Sequence, residues 1–385
     1  MVREPCGTPL MTSEERRAAR RARREENRAK KRSERQSAIN LEAVASMDAL
    51  YKASWQCFEG VSWKPSAQRY MKDVLRNNYR TRQKLLAGED IRMGTREFGI
   101  WERGKYRRIT SVQYPERVVQ KSFAQNALVP AIVPSFVRNN TANVKGRGTS
   151  DALARLKRDL VNHYRLYGSN GYILLFDLKD FFGSIDHDVA CAMQAHFVDD
   201  VRLQALGASF IGEPGGKGLA LGSEPNQNTA VATPSPIDHF IIECCQPESF
   251  GRYMDDGYLI HNEKLALDIC LAIICDRFAE MGLTVNMRKT HIAKLSRGFT
   301  WLKKRIRYGP NGRVSMRPSR DSVTRERRKL KAHAGMVSRG ELSYEEAFQS
   351  YQSWLGLMKG LDSHNITRGT DAMFDSLFSG LRENI

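Results

Sequence analysis

Phe250-Gly-Arg-Tyr-Met-Asp-Asp-Gly-Tyr-Leu-Ile-His261 is the stretch from which the rest of the chain can be read. Aromatic and apolar runs flank Asp255-Asp256-Gly257. Asp-Gly between β-formers predicts a tight hairpin, because both central residues of such a turn take positive φ. The two carboxylates are expected at its tip. Adjacent carboxylates repel, and a hard divalent cation is the usual remedy. A solvated surface turn could carry the same three residues, so the motif needs a partner.

Gly171-Tyr-Ile-Leu-Leu-Phe-Asp177 supplies one. A continuous apolar run ending in an acid predicts a buried strand that delivers a carboxylate at its tip. Asp177 is then the natural companion of Asp255. Carboxylates brought from separate strands to one edge of a sheet can hold two metal ions, the apparatus for in-line displacement at a phosphate.

With both stretches in view, the chain resembles the reverse transcriptases. Tyr253-Met254-Asp255-Asp256 is similar to their YxDD signature. Asp177-Leu-Lys-Asp-Phe-Phe182, followed by Gly-Ser-Ile-Asp-His187, resembles their first catalytic motif. Further blocks follow in the family's order from about Phe98 to Trp354. The resemblance implies an α+β right-hand polymerase: fingers over 51–170, a βαββαβ-like palm with an antiparallel sheet over 171–300, and a primer grip with a helical thumb over 301–385. A basic helical extension over 1–50 precedes them. The implied chemistry is RNA-directed DNA synthesis. Asp177, Asp255 and Asp256 are the implied ligands of two Mg²⁺ ions, with Mn²⁺ as a substitute. Lys289, in Leu283-Thr-Val-Asn-Met-Arg-Lys-Thr290, is the implied acid that protonates departing pyrophosphate.

Other blocks carry binding expectations. Phe98, Ile100 and Ile109 alternate as two strands turning at Arg103-Gly104. This resembles the fingers hairpin, which assigns Lys105, Arg107 and Arg108 to the incoming triphosphate, where fixed cations offset its charge. Phe182 matches the ring that leaves no space for a 2′-hydroxyl. Gly218-Leu-Ala-Leu-Gly-Ser223 resembles the family's Gly-Leu-Pro-x-Gly-Ser block, with Ala220 in place of Pro. Gly222 and Gln227 are its nucleotide-binding candidates, with Asn226 beside them. Glu224 fits such a pocket only if it points away. Nucleic-acid contacts are expected from Arg117, from Lys145 and Arg147 in a glycine-rich helix start, from Trp301 in the primer grip, and from Arg325, Arg327 and Arg328 on a basic helix. His187 is expected to cap or pack. Trp55, Phe58 and Trp63 are expected to anchor a helical core over 41–90.

The chain has 61 Lys and Arg against 43 Asp and Glu, a net charge of +18, which points to a polyanionic partner. Residues 13–35 alone hold 11 basic and 5 acidic side chains with almost no apolar face. They read equally as an arm along phosphates or as a solvated tail. Seven cysteines without CxxC spacing point to reduced thiols and a cytoplasmic protein. No apolar run is long enough to span a bilayer, and no secretory signal is evident.

A chain of this size, without a long C-terminal nuclease or integrase region, resembles the stand-alone bacterial and phage-borne reverse transcriptases. The retron Val-Thr-Gly is absent; Met336-Val-Ser-Arg-Gly340 is a distant echo. The Ser-Gln of diversity-generating enzymes is replaced by Asn226-Gln227. By elimination the expectation is a defence-associated enzyme copying a partner noncoding RNA. A diversity-generating enzyme and a template-independent or protein-primed DNA polymerase are the alternatives. The expected partners are an RNA template, a DNA product and dNTPs, with an accessory protein or a second copy left open.

Overall fold

The computed structural model describes residues 12–102 and 105–381. The chain forms two units, one from residues 1–136 and 182–235, the other from 137–181 and 236–385. The expected segments were consecutive; here 182–235 returns to the first unit.

In the first unit the helices Met47–Phe58, Val74–Leu86 and Tyr114–Phe123 surround a core that includes Leu50, Ala53, Val118 and Phe123. Val198, Leu203 and Phe210 join it from the returning segment. Trp55 and Trp63 are not in this core: they are 48% and 71% exposed. The first of these helices turns Leu50, Ala53 and Cys57 inward, which leaves Tyr51 and Trp55, one turn apart, on its outer face. Strands β1 (Thr95–Glu102) and β2 (Lys105–Val112) pair antiparallel in a two-stranded sheet. The turn expected at Arg103-Gly104 lies outside the described residues. The basic stretch is the helix Ser13–Ala38. It opens on a capping box between Thr12 and Glu15, satisfying two of its first amides, and buries none of its residues.

The second unit is built on a four-stranded sheet. Its strands are β3 (Tyr172–Asp177), β4 (Ser249–Tyr253), β5 (Asp256–His261) and β6 (His291–Lys294). They lie in the order β4-β5-β3-β6, each antiparallel to its neighbours, which is the βαββαβ arrangement. β3 is central, and Ile173 to Phe176 are buried, as a run without polar alternation demands. The helix Lys264–Glu280 turns Leu267, Cys270, Ile274 and Phe278 inward; the Phe278 ring lies 6.0 Å from that of Phe176. The helix Thr149–Tyr167 contributes Leu153, Leu156 and Leu160 to a further core. That core also takes residues from β7 (Phe299–Trp301), β8 (Lys304–Tyr308) and β9 (Val314–Pro318), a three-stranded antiparallel sheet. Three helices, Arg320–Ser338, Tyr344–Gly356 and His364–Phe378, close the chain around Leu330, Tyr351, Trp354, Phe374 and Phe378.

Candidate active site

Asp177 is the last residue of β3, and Asp256 is the first of β5; the two are direct register partners. Tyr253 pairs with Asp256, so the turn between β4 and β5 consists of Met254 and Asp255. This corrects the expectation that Asp-Gly makes the turn. Met254 takes the positive φ, at 57°, and Gly257 lies within the strand. Gly257 has another reason to be glycine. It sits opposite Phe176, and a Cβ there would run into the Phe176 ring. The aromatic ring that fills the core beneath the site thus requires a bare backbone beside it.

The segment after the helix Lys264–Glu280 grips Asp177. The Asp177 carbonyl accepts from the Asn286 amide at 2.7 Å. Asn286 Nδ2 donates to Asp177 Oδ1 at 2.9 Å. The Thr290 hydroxyl accepts from the Asp177 amide at 3.4 Å. Lys289 Nζ bonds both carboxylate oxygens, at 2.8 and 2.7 Å. The Asp255 carbonyl accepts from the Leu178 amide at 3.2 Å, tying the turn to the residue after Asp177. Sequence reading singled out Lys289 but missed Asn286 and Thr290, although both stand in the same quoted stretch.

The electrostatics follow from this geometry. Burial, with the charges of Asp255 and Asp177 added, pushes the Asp256 carboxyl up to about 7; Lys289 pulls the other way. The hydrogen bond to Asp177 raises the Lys289 ammonium, with the charges of all three aspartates in support. The site is a pool of negative charge in which one lysine serves as the cation. Hard oxygen donors of this kind fit a divalent cation. Among the described residues no three His, Cys, Asp or Glu side chains stand close enough together to hold a metal ion as they are placed. Lys289 occupies both oxygens of Asp177, so a metal ion would have to compete with it.

The reverse transcriptase (RNA-dependent DNA polymerase) family matches residues 95–308, more than half of the chain. The chain belongs to this family. Its α+β architecture is that of a right-hand polymerase. A solved structure of apo telomerase from Candida tropicalis, truncated from the C-terminal domain, is similar with a TM-score of 0.43 and 15% identity. That match covers 58% of this chain and 55% of the telomerase chain, so the chain spans about half the length of that structure. No curated protein matches in sequence.

The other candidates named from this reverse transcriptase sequence fall in several places. Lys105, Arg107 and Arg108 lie on β2, but their side chains are outside the described residues. Gly222 closes against the end of β2: a Cβ there would stand 2.7 Å from the Thr110 carbonyl oxygen. Gln227 Nε2 donates to the Leu221 carbonyl at 2.8 Å. Asn226 is wholly buried, its amide on the Phe210 carbonyl at 2.9 Å, so it does not face a nucleotide. Glu224 is neutralised by Lys121 at 2.8 Å. Phe182 is half-buried, and its carbonyl accepts from the Leu219 amide. His187 packs as expected, its ring nitrogens on the Glu213 and Gly218 carbonyls at 2.7 and 2.9 Å. Arg117, Lys145, Arg147, Arg325, Arg327 and Arg328 are all exposed. Trp301 is a correction. It is 4% exposed, edge-on to Tyr258 with ring centroids 5.0 Å apart. Its strand turns Phe299 and Trp301 to the core, so the ring is not available to a primer strand. No helix among the described residues is long and apolar enough to cross a membrane.

Proposed function

We propose that the chain is an RNA-directed DNA polymerase that extends a primer 3′-hydroxyl on an RNA template. The oxygen attacks the α-phosphate of a dNTP, and pyrophosphate departs. The observation that carries this reading is the meeting of Asp177, Asp255 and Asp256 at the ends of adjacent strands, with Lys289 on Asp177. Asp177 and Asp255, with Asp256 beside them, would hold two Mg²⁺ ions, which when bound supply Lewis acidity at the phosphate and activate the hydroxyl. Asn286 and Thr290 keep the Asp177 carboxylate aimed at the strand end. Lys289, whose ammonium lies on Asp177, is the group to donate a proton to departing pyrophosphate. Phe182 excludes ribonucleotides by bulk. Lys145, Arg147, Arg325, Arg327 and Arg328 contact phosphates without reading sequence.

The template in this reading is a partner noncoding RNA, and the setting is bacterial defence against phage. The support is by elimination: Asn226-Gln227 stands where diversity-generating enzymes carry Ser-Gln, and the retron Val-Thr-Gly is missing. The test is nucleotide incorporation by purified protein together with sequencing of its co-purified RNA. dNTPs are expected to be incorporated and rNTPs refused. Asp255→Ala is expected to fall at least about 10³-fold. DNA complementary to one bound RNA would uphold the reading. DNA without a complementary template would move it to template-independent synthesis. No synthesis on any primer–template would sink it.

A further inference from the structure

Arg252 is the largest fully buried side chain among the described residues of the second unit, with no measurable exposure. It lies on β4, two residues before the turn formed by Met254 and Asp255. Its Nε donates to both oxygens of Asp238, at 2.8 and 3.1 Å, and its Nη2 to Oδ2 at 2.7 Å. Asp238, on the helix Ser235–Phe240, is equally buried. The remaining arm of the guanidinium, Nη1, donates to the Met254 carbonyl at 2.8 Å. The Arg252 backbone is fixed as well: its amide donates to the Asn139 carbonyl and its carbonyl accepts from the Thr141 amide.

The position of that last side-chain bond matters. The Met254 carbonyl belongs to the planar peptide unit that leads into Asp255. Holding its oxygen sets the orientation of the plane from which the Asp255 carboxylate is displayed. The next peptide unit is held at the Asp255 carbonyl by the Leu178 amide. Asp255 is therefore gripped on both sides, by Arg252 before it and by the β3 end after it. Met254 meanwhile sits at a φ of 57°, a conformation that disfavours residues with a side chain and has to be imposed by its surroundings.

A buried ion pair is a poor way to gain stability, because desolvation offsets the attraction and an apolar pair of equal volume does as well. An apolar pair could not donate to the Met254 carbonyl. A lysine at 252 could not serve both partners, since one ammonium lacks the planar fork that reaches Asp238 and Met254 together.

We propose that Arg252, oriented by Asp238, is a positioning residue that sets the Met254–Asp255 turn and so aims the Asp255 carboxylate at its cation. This rests on the polymerase reading for its activity readout but not for its binding readout. The test compares wild type with two variants. Arg252→Met/Asp238→Leu removes both buried charges at once, and Arg252→Lys keeps the charge but loses the fork. Melting is measured first; the double variant is expected to stay within about 5 °C of wild type. Mn²⁺ binding to the free protein, followed by electron paramagnetic resonance, is expected to weaken about tenfold in both. The kcat for incorporation is expected to fall about 10²-fold, with the KM for dNTP changed less than about twofold.

A merely structural pair would lower melting and leave the Mn²⁺ affinity of the folded fraction alone. Wild-type Mn²⁺ affinity and kcat in folded variants would therefore overturn the proposal. If the double variant does not fold, Arg252→Lys decides by the same two readouts. If wild type binds Mn²⁺ but copies nothing, the polymerase reading fails by itself, and the Mn²⁺ comparison still decides whether Arg252 positions the turn.

Discussion

Gly257 faces Phe176 in the sheet register, and the space a Cβ would need is filled by that ring. Gly257→Ala is expected to cost about 1–3 kcal/mol through overpacking, seen as a lower urea midpoint at unchanged slope. An unchanged midpoint would mean that Phe176 can move aside freely. Lys289 makes a prediction of the opposite kind. Its ammonium shares Asp177 with any incoming cation, so Lys289→Ala is expected to lower the Mg²⁺ concentration for half-maximal activity. If Lys289 is the acid proposed above, the same change should lower kcat about 10²-fold. A titration of Mg²⁺ at saturating dNTP separates the two effects; a raised Mg²⁺ requirement would contradict the competition. Asp177, Asp255 and Asp256 were legible because each ends or begins a local pattern of β-formers. Which two residues make the turn was not legible, because cross-strand register decides it. Asn286 was overlooked because an amide near a lysine carries no local signal. Its role exists only once the segment at 283–290 lies beside β3.

The helix Arg320–Ser338 was visible as a basic helical stretch, and its four arginines are exposed. Its buried acid was not visible. Glu326 is 5% exposed, its Oε1 lacks a hydrogen bond, and the Lys329 ammonium stands 3.6 Å away. Burial raises the Glu326 carboxyl above its ordinary value of 4.5, against the pull of Lys329. A carboxyl raised by folding favours the folded state while it is protonated. That contribution is complete below the unfolded value and is lost as pH rises through the folded one. Glu326→Gln is therefore expected to match wild type near pH 4 and to exceed it near pH 8 by about 1 kcal/mol. Denaturant melts at the two pH values check this; a gain confined to acid would refute it. The same contrast between pattern and burial holds for other elements. β3 and the helix Lys264–Glu280 were legible from apolar runs and spacing. Trp55 and Trp63 were expected inside and lie outside, while Trp301 was expected at a surface and lies inside. An aromatic ring suits either environment, and only the packing of distant segments assigns it.

At the scale of the molecule the net charge of +18 is spread unevenly, and its densest part is the helix Ser13–Ala38. That helix has no buried residue. Its ties to the rest of the first unit include Arg32 on the His196 carbonyl at 3.3 Å and Gln36 on the Phe197 carbonyl at 2.6 Å. Packing therefore contributes little to it, and its retention as a helix rests on its cap and its charge pattern. Deleting residues 1–35 is expected to change stability by no more than about 0.5 kcal/mol. Its effect on nucleic-acid binding should be much larger. Each phosphate neutralised contributes roughly 0.9 to the slope of log K against log salt on a duplex. The deletion removes 11 basic and 5 acidic side chains from residues 13–35, so if the net charge is matched by phosphates the slope should flatten by about 5. Arg325→Ala, Arg327→Ala and Arg328→Ala together should flatten it by about 3, and the two changes should add if they touch separate phosphates. Neither should alter preference among sequences, because contacts to phosphate position a strand without reading it. Filter binding at several salt concentrations, on duplexes of unrelated sequence, checks all of this. A slope unchanged by the deletion would make residues 13–35 a solvated helix without a part in holding the polyanion.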